Sequence, residues 1–347
     1  MKLDSRPIAD FRGARGSNAG DQFHELWALE QILALLDATT GLTAVTVEGV
    51  VAPSGGAAQE GPSWEGVDCA LYFGCVSFAT AKRVELVQLK YSGDPDRPWS
   101  IARLARNSAK SGNNSVLRKL ADGFIAARAE TRPGVDVRLR FVSNQPVDDA
   151  VIQITQTTND GGSPEDALAH RLATVSQASG LAGTELVDFL ATLDFSDCGR
   201  ASRFAQREKL MVAVSELIED DATSDMADLR QRVRELMLPE RDSEVVTRQT
   251  VLSWFGIAHE SGLFPCPAET VKVDRPIPRQ ASRDIAQSLA DGSRVVYLHG
   301  SGGCGKTTAL QQVSEMLPDG SCFVPFDCYG GGRYLFSNDK RHLPQHA

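Results

Sequence analysis

Apolar positions recur at helical spacing over residues 21–36, through Phe23, Leu26, Trp27, Leu33 and Ala34, and Gly41 ends the run. Residues 42–50 then alternate β-branched and polar side chains, the pattern of a half-buried strand. A Gly/Pro/Ser-rich stretch over 52–66 reads as a loop, and two further strands are expected over 67–73 and 83–91. A basic helical stretch covers 101–129, and a fourth strand covers 135–142, ending at Ser143-Asn-Gln-Pro146. The predicted order is α-β-β-β-α-β. From 150 to 265 the periodicity is helical, for example over 185–193, 209–219 and 226–238, and reads as a spacer. Phe264-Pro-Cys-Pro267 and Arg275-Pro-Ile-Pro278 mark a linker. A new unit follows: a helix over 282–290, a strand over 294–299, a glycine-rich loop, a helix over 306–317 and a strand over 322–326. The chain therefore reads as α/β, with a flexible arm at 1–18, a mixed-sheet domain at 19–150, a helical linker region at 151–280 and the N-terminal part of a second α/β domain at 281–347.

Composition narrows the class without naming a chemistry. The 347 residues are 42% hydrophobic and 23% charged, as in an ordinary globular protein. Seven cysteines are scattered with no CxxC pair, which argues against a zinc cluster or a disulfide framework and for a reducing, cytoplasmic setting. The first residues lack the apolar core of a signal peptide, and no run is long enough to span a membrane. Net charge is −9, yet residues 97–140 hold 10 basic against 3 acidic side chains. A basic run in an acidic chain is either a nucleic-acid footprint or a solvated helix face.

The segment Gly300-Ser-Gly-Gly-Cys-Gly-Lys-Thr307 has the GxxxxGK[ST] form of a phosphate-binding loop, with an expected strand before it and a helix after it. Gly300, Gly303 and Gly305 let the backbone curl around phosphate oxygens. Lys306 is placed to reach the β- and γ-phosphates, and Thr307 to hold Mg²⁺, with Thr308 next in the helix. The expected ligand is a purine nucleoside triphosphate, written here as ATP. Asp327, at the end of the next expected strand, is a weak acidic partner. Only 40 residues follow Thr307, about one α/β unit, so the pattern reads as the opening part of such a domain.

Asp68 on the second strand and Gln88-Leu-Lys90 on the third form another constellation. Alternation puts Gln88 and Lys90 on one face and Glu85 on the other. A carboxylate, an amide oxygen and a lysine suit metal-assisted phosphodiester hydrolysis. Asp68 and Gln88 would anchor Mg²⁺, Lys90 would stabilise negative charge, and Glu48 at the end of the first strand adds a second acidic group. Edge-strand polar residues without chemistry give the same spacing. His24, between Phe23 and Trp27, reads as a packed, hydrogen-bonded residue.

Gly20-Asp-Gln-Phe-His-Glu-Leu-Trp27, Thr46-Val-Glu-Gly49, Val67-Asp68 and Gln88-Leu-Lys-Tyr91 together resemble the PD-(D/E)xK-type double-stranded-DNA endonuclease domain of bacterial anti-phage effectors. Placed ahead of a P-loop, and with Phe326-Asp-Cys-Tyr-Gly-Gly-Gly332 after it, the chain is similar to the N-terminal half of an antiviral STAND NTPase. The resemblance implies a restriction-endonuclease-like domain and a motif of Asp68, Gln88 and Lys90, with Gln88 where other members carry Glu. His24 stands where many relatives carry an acidic or amide residue. It further implies double-stranded DNA as substrate, Mg²⁺ and ATP as cofactors, homo-oligomerisation on activation, and a phage-protein trigger sensed by a C-terminal region that this sequence does not contain. Two other readings stay open: a nucleotide-regulated scaffold with a non-catalytic nuclease-like fold, and a nucleotide or small-molecule kinase.

Overall fold

The computed structural model describes residues 14–50, 64, 66–76, 78, 80–107, 114–160, 166–218, 222–238, 244–263 and 273–325. Within them lie 11 α-helices and one six-stranded mixed sheet, an α/β architecture. The chain divides into two compact units. One runs to Val214 and includes 222–258; the other comprises Ser215 to 218 and the chain from His259 onward.

The first unit opens with helix α1 (Ala14–Ala34), so residues 14–18 of the expected arm are helical. Its apolar stripe Phe23, Leu26, Trp27, Leu29, Ile32 and Leu33 is buried. Strands β1 (Leu42–Val47), β2 (Cys69–Phe73) and β3 (Arg83–Lys90) form an antiparallel meander. The basic stretch is broken in two: a short α2 (Ile101–Leu104), capped by Ser100, and α3 (Val116–Glu130), capped by Ser115. Strand β4 (Asp136–Ser143) then runs parallel to β3, which the connection through α3 permits.

The helices expected to be a spacer belong to this unit. After α4 (Asp149–Asp160), α5 (Asp166–Ser179) and α6 (Gly183–Thr192), strand β5 (Leu193–Asp194) pairs with β4. After α7 (Arg203–Ser215) and α8 (Ala222–Leu236), strand β6 (Val246–Thr247) pairs with β1, and α9 (Arg248–Trp254) follows. The sheet order is therefore β5-β4-β3-β2-β1-β6. Two-residue strands are too short to show a period of two, and this hid both edges from sequence reading.

On one face of the sheet, Val84, Leu86, Ala70, Tyr72, Leu139 and Phe141 join Leu117, Leu120 and Phe124 of α3 and Phe189 of α6 in one buried cluster. Ion pairs fasten the helical part to α1. Glu25, 2% exposed, holds Arg230 and Arg234 of α8. Glu30 holds Arg200 and Lys209, and Trp27 Nε1 donates to Asp197 at 2.8 Å. Much of the basic run is occupied as well. Arg118 pairs with Asp122, Arg128 with Asp188, Arg138 with Asp136, and Arg140 with Glu85 and Asp194.

In the second unit, α10 (Gln280–Ala290) and α11 (Lys306–Ser314) are joined by Gln312. Its Oε1 accepts from Ser282 Oγ at 2.9 Å and from the Arg279 amide at 3.2 Å, while Nε2 donates to the Ile277 carbonyl at 2.8 Å. The strands expected over 294–299 and 322–326 are not seen as such. Residues 294–299 and 322–325 have no ladder partner among the described residues, and an unpaired segment is not a strand. Asp327 and the Phe326–Gly332 motif lie outside the described residues. No helix among the described residues is long and apolar enough to cross a membrane.

Candidate functional site

The site lies where β1, β2 and β3 end beside α1. Asp68 immediately precedes β2, and its backbone is clamped on both sides: its amide donates to the Val87 carbonyl at 2.9 Å and its carbonyl accepts from the Glu48 amide at 2.9 Å. Its carboxylate continues the ladder, Oδ2 accepting from the Leu89 amide at 2.5 Å. A carboxylate bound to a strand amide cannot swing away, so Asp68 is a fixed negative charge.

Glu48 follows β1 in a left-handed conformation, φ 52°, ahead of Gly49 at φ 134°. Such a conformation costs a non-glycine residue about 1 kcal/mol or more and persists only where the surroundings enforce it. Here Thr46 Oγ1 ties the turn by donating to the Gly49 carbonyl at 2.7 Å. The turn brings the exposed Glu48 carboxylate to Asp68. His24 arrives from α1, with Nε2 3.1 Å from the Leu89 carbonyl. Ligand atoms of His24, Glu48 and Asp68 all lie within 4.8 Å of one another. Lys90, at the end of β3, places Nζ 4.0 Å from Asp68 Oδ2.

Burial lowers the His24 pKa below the ordinary imidazole value. The Asp68 carboxylate opposes this, Lys90 reinforces it, and lowering is the net effect. The ring is therefore neutral at neutral pH, with one nitrogen carrying a lone pair. Burial also pushes the Cys69 thiol well up, reinforced by the neighbouring Asp68 and Glu48 charges, so Cys69 is an inert packed thiol.

Sequence reasoning named Asp68, Lys90 and Glu48, and the structure brings these three together. Glu85, read as facing away from Lys90, is buried against Arg83 and Arg140. Gln88 is the expected member that no described contact joins to the group. It is 1% exposed, shares its strand parity with Val84 and Leu86, and its Oε1 has no hydrogen-bond partner. His24, read from sequence as a packed, hydrogen-bonded residue, is hydrogen-bonded to the Leu89 carbonyl and also stands beside Asp68 and Glu48. A single histidine on an apolar helix face carries no signal of a ligand until β3 is set against α1.

A cavity of about 650 Å³ opens beside Glu48, lined by Asn18, Asp21, Gln22, Glu25, Arg234 and Leu238 among others. The donors fit a divalent metal: two carboxylates and a neutral imidazole.

The second unit carries the glycine-rich loop. Gly303 at φ 74° and Gly305 at φ 85° take conformations open to glycine, and Gly305 is the N-cap of α11. A Cβ on Gly305 would collide with the guanidinium of Arg279, whose Nη1 donates to the Cys304 carbonyl at 2.6 Å. Lys306 folds back over the loop, with Nζ donating to the carbonyls of Gly300 at 2.9 Å and Ser301 at 2.8 Å. Thr307 is exposed and Thr308 half-buried in the first turn of α11. The loop leads directly into the N-terminus of α11, whose first residue is Lys306.

No protein-family model matches the chain, and no curated protein matches it.

Proposed function

We propose that this chain is a metal-dependent double-stranded-DNA endonuclease coupled to a nucleotide-binding module. The observation that carries the reading is the convergence of Asp68, Glu48 and His24 within 4.8 Å, with the Lys90 ammonium 4.0 Å from Asp68. Fixed carboxylates beside a lysine are the minimum needed to hold a divalent ion and to meet the charge that develops on a phosphate under attack. The finer fold reading, a restriction-endonuclease-like domain, rests on the α-β-β-β-α-β order of α1 to β4, now extended by β5 and β6.

Asp68 and Glu48 would hold the metal. The bound ion supplies an activated water and neutralises phosphate charge. Asp68 is oriented by the Leu89 amide, so the ion is positioned by backbone rather than by a free rotamer. Lys90 Nζ stabilises the non-bridging oxygens. On the other unit, Gly300, Gly303, Gly305, Lys306, Thr307 and Thr308 bind the triphosphate of ATP, and Thr307 is the Mg²⁺ contact. Moving from the loop carbonyls to the phosphates costs Lys306 two hydrogen bonds, which a polyanion replaces with stronger ones. Homo-oligomerisation on ATP binding and a phage-protein trigger in anti-phage defence follow from the resemblance to antiviral STAND NTPases.

A nucleotide-regulated scaffold is the second reading. It is favoured by the burial of Gln88 away from the described contacts. Incubating the chain with supercoiled plasmid, ATP and divalent metal separates the two. Endonuclease action requires nicking that chelator abolishes and that Asp68→Asn removes. A scaffold leaves the plasmid intact in every lane.

A further inference from the structure

We infer that His24 is a direct metal ligand and that its nitrogen makes this centre selective for a first-row transition ion, of the Mn²⁺-to-Zn²⁺ class, over Mg²⁺. This rests on the metal-site reading above and departs from it in both the ligand set and the ion.

The geometry supplies the first reason. One imidazole nitrogen of His24 and one oxygen from each of Glu48 and Asp68 lie within 4.8 Å of one another. Donors in a tetrahedral site with bonds of about 2.1 Å are about 3.4 Å apart. Side-chain rotations that close up to about 1.4 Å would bring the three donors round one ion. Glu48, exposed at the tip of its turn, has the room to make them.

The hydrogen bonding supplies the second. A carbonyl can only accept, so Nε2 carries the ring proton toward Leu89 O at 3.1 Å and the lone pair is on Nδ1. Metal-bound histidines are generally held in this way, one nitrogen donating to a backbone carbonyl or carboxylate while the other binds the ion. The same residue, Leu89, donates its amide to Asp68 Oδ2 at 2.5 Å. One peptide segment of β3 therefore orients two of the three donors.

The donor chemistry supplies the third. Mg²⁺ takes oxygen ligands, whereas imidazole suits the later first-row ions. Three protein donors leave further positions for water and substrate, as in a catalytic rather than a structural centre. Of the three donors, Glu48 lines the neighbouring cavity, together with Asp21.

The test uses the whole chain and Mn²⁺ as the probe. Calorimetric competition should show Co²⁺ and Mn²⁺ binding at least about tenfold tighter than Mg²⁺. Electron spin echo spectroscopy of bound Mn²⁺ should show ¹⁴N modulation from a coordinated imidazole. In His24→Gln that modulation should vanish, Mn²⁺ affinity should fall about tenfold or more, and Mg²⁺ affinity should move less than about twofold. The retained Mg²⁺ affinity of His24→Gln shows that its loss of signal is not a folding failure, and Glu48→Gln should weaken Mn²⁺ while keeping the nitrogen signal. Mn²⁺ bound without ¹⁴N modulation, or with modulation that survives in His24→Gln, overturns the assignment of His24 and leaves the metal site standing. Absence of Mn²⁺ binding overturns both.

Discussion

Removing the Glu25 carboxylate should unlock the helical region from the sheet. Glu25 is 2% exposed, and each of its oxygens is held by a guanidinium, Arg230 on one and Arg234 at 2.6 Å on the other. Deleting one side of a buried ion pair costs about 3–5 kcal/mol, because the remaining charge keeps its desolvation and loses its partner. Arg234 is 49% exposed and turns back to water, whereas Arg230 is 18% exposed and does so less readily. The lower end, about 3 kcal/mol, is therefore expected for Glu25→Ala. That is a large share of a typical stability of about 5–15 kcal/mol. At about 2–4 °C per kcal/mol for a domain of this size, Tm should fall by roughly 6–12 °C. Trp27 lies on the same helix two residues away, so its fluorescence in a denaturant titration reports the transition directly. A double-mutant cycle with Arg230→Ala should return a coupling of about 1 kcal/mol or more. A loss below about 1 kcal/mol, or two separate transitions for the sheet and for residues 151–258, would refute the integration of these helices into one unit.

Lys306→Ala should weaken ATP binding by roughly tenfold to a hundredfold, the worth of a charge-assisted hydrogen bond of about 1.5–3 kcal/mol, with an unchanged melting curve; calorimetry reads the first and differential scanning the second. Arg103 sits over the Trp99 ring at 3.7 Å and donates to Gln145 at 2.7 Å, so reversing it should cost stability as well as DNA affinity. Reversing the exposed Arg97 and Arg106 should instead lower DNA affinity on all sequences and make the salt slope shallower by about one for each phosphate that is no longer neutralised; an unchanged slope would mark them as solvated surface. Burial raises the Glu85 carboxyl pKa against the opposing pull of Arg140 and Arg83. Its folded value therefore lies above its unfolded value, and stability is lost as pH rises through that window. Denaturation of wild type and Glu85→Gln between pH 4 and 7 should show wild type losing ground to the variant as pH rises, and the opposite slope would contradict the burial argument.

The sequence was most legible where the pattern is local. The meander of β1 to β3 and the return in β4 follow from alternation in Val84–Leu86 and Leu139–Phe141, and the Asp68, Lys90 and Glu48 positions follow from those strands. The place of His24 beside Asp68 and Glu48 was not legible, because it depends on a contact with the Leu89 carbonyl, 65 residues away. Reading 151–280 as a helical linker region did not anticipate Leu193–Asp194 and Val246–Thr247 as sheet edges, since two residues carry no periodicity. Gln88 shows the reverse case. Parity with Lys90 was read correctly, but parity does not say whether a side chain enters the cluster at the strand's end or the core beneath α3. Residues 294–299 have strand composition, yet composition without a paired neighbour left Val295 and Tyr297 at 65% and 88% exposure.

The most direct test of the central claim is single-turnover cleavage of supercoiled plasmid by the ATP-bound, metal-loaded chain, wild type against Lys90→Met. Lys90 Nζ stands 4.0 Å from Asp68, within reach of a phosphate bound at that carboxylate's metal. Losing one preorganised electrostatic partner costs about 10²–10³ in rate, and metal affinity should change little by comparison. Cleavage that slows by that factor in the variant is the predicted result. A variant that cuts at the wild-type rate, or a triggered, ATP-bound assembly that leaves plasmid intact with every divalent metal from Mg²⁺ to Zn²⁺, would contradict the account.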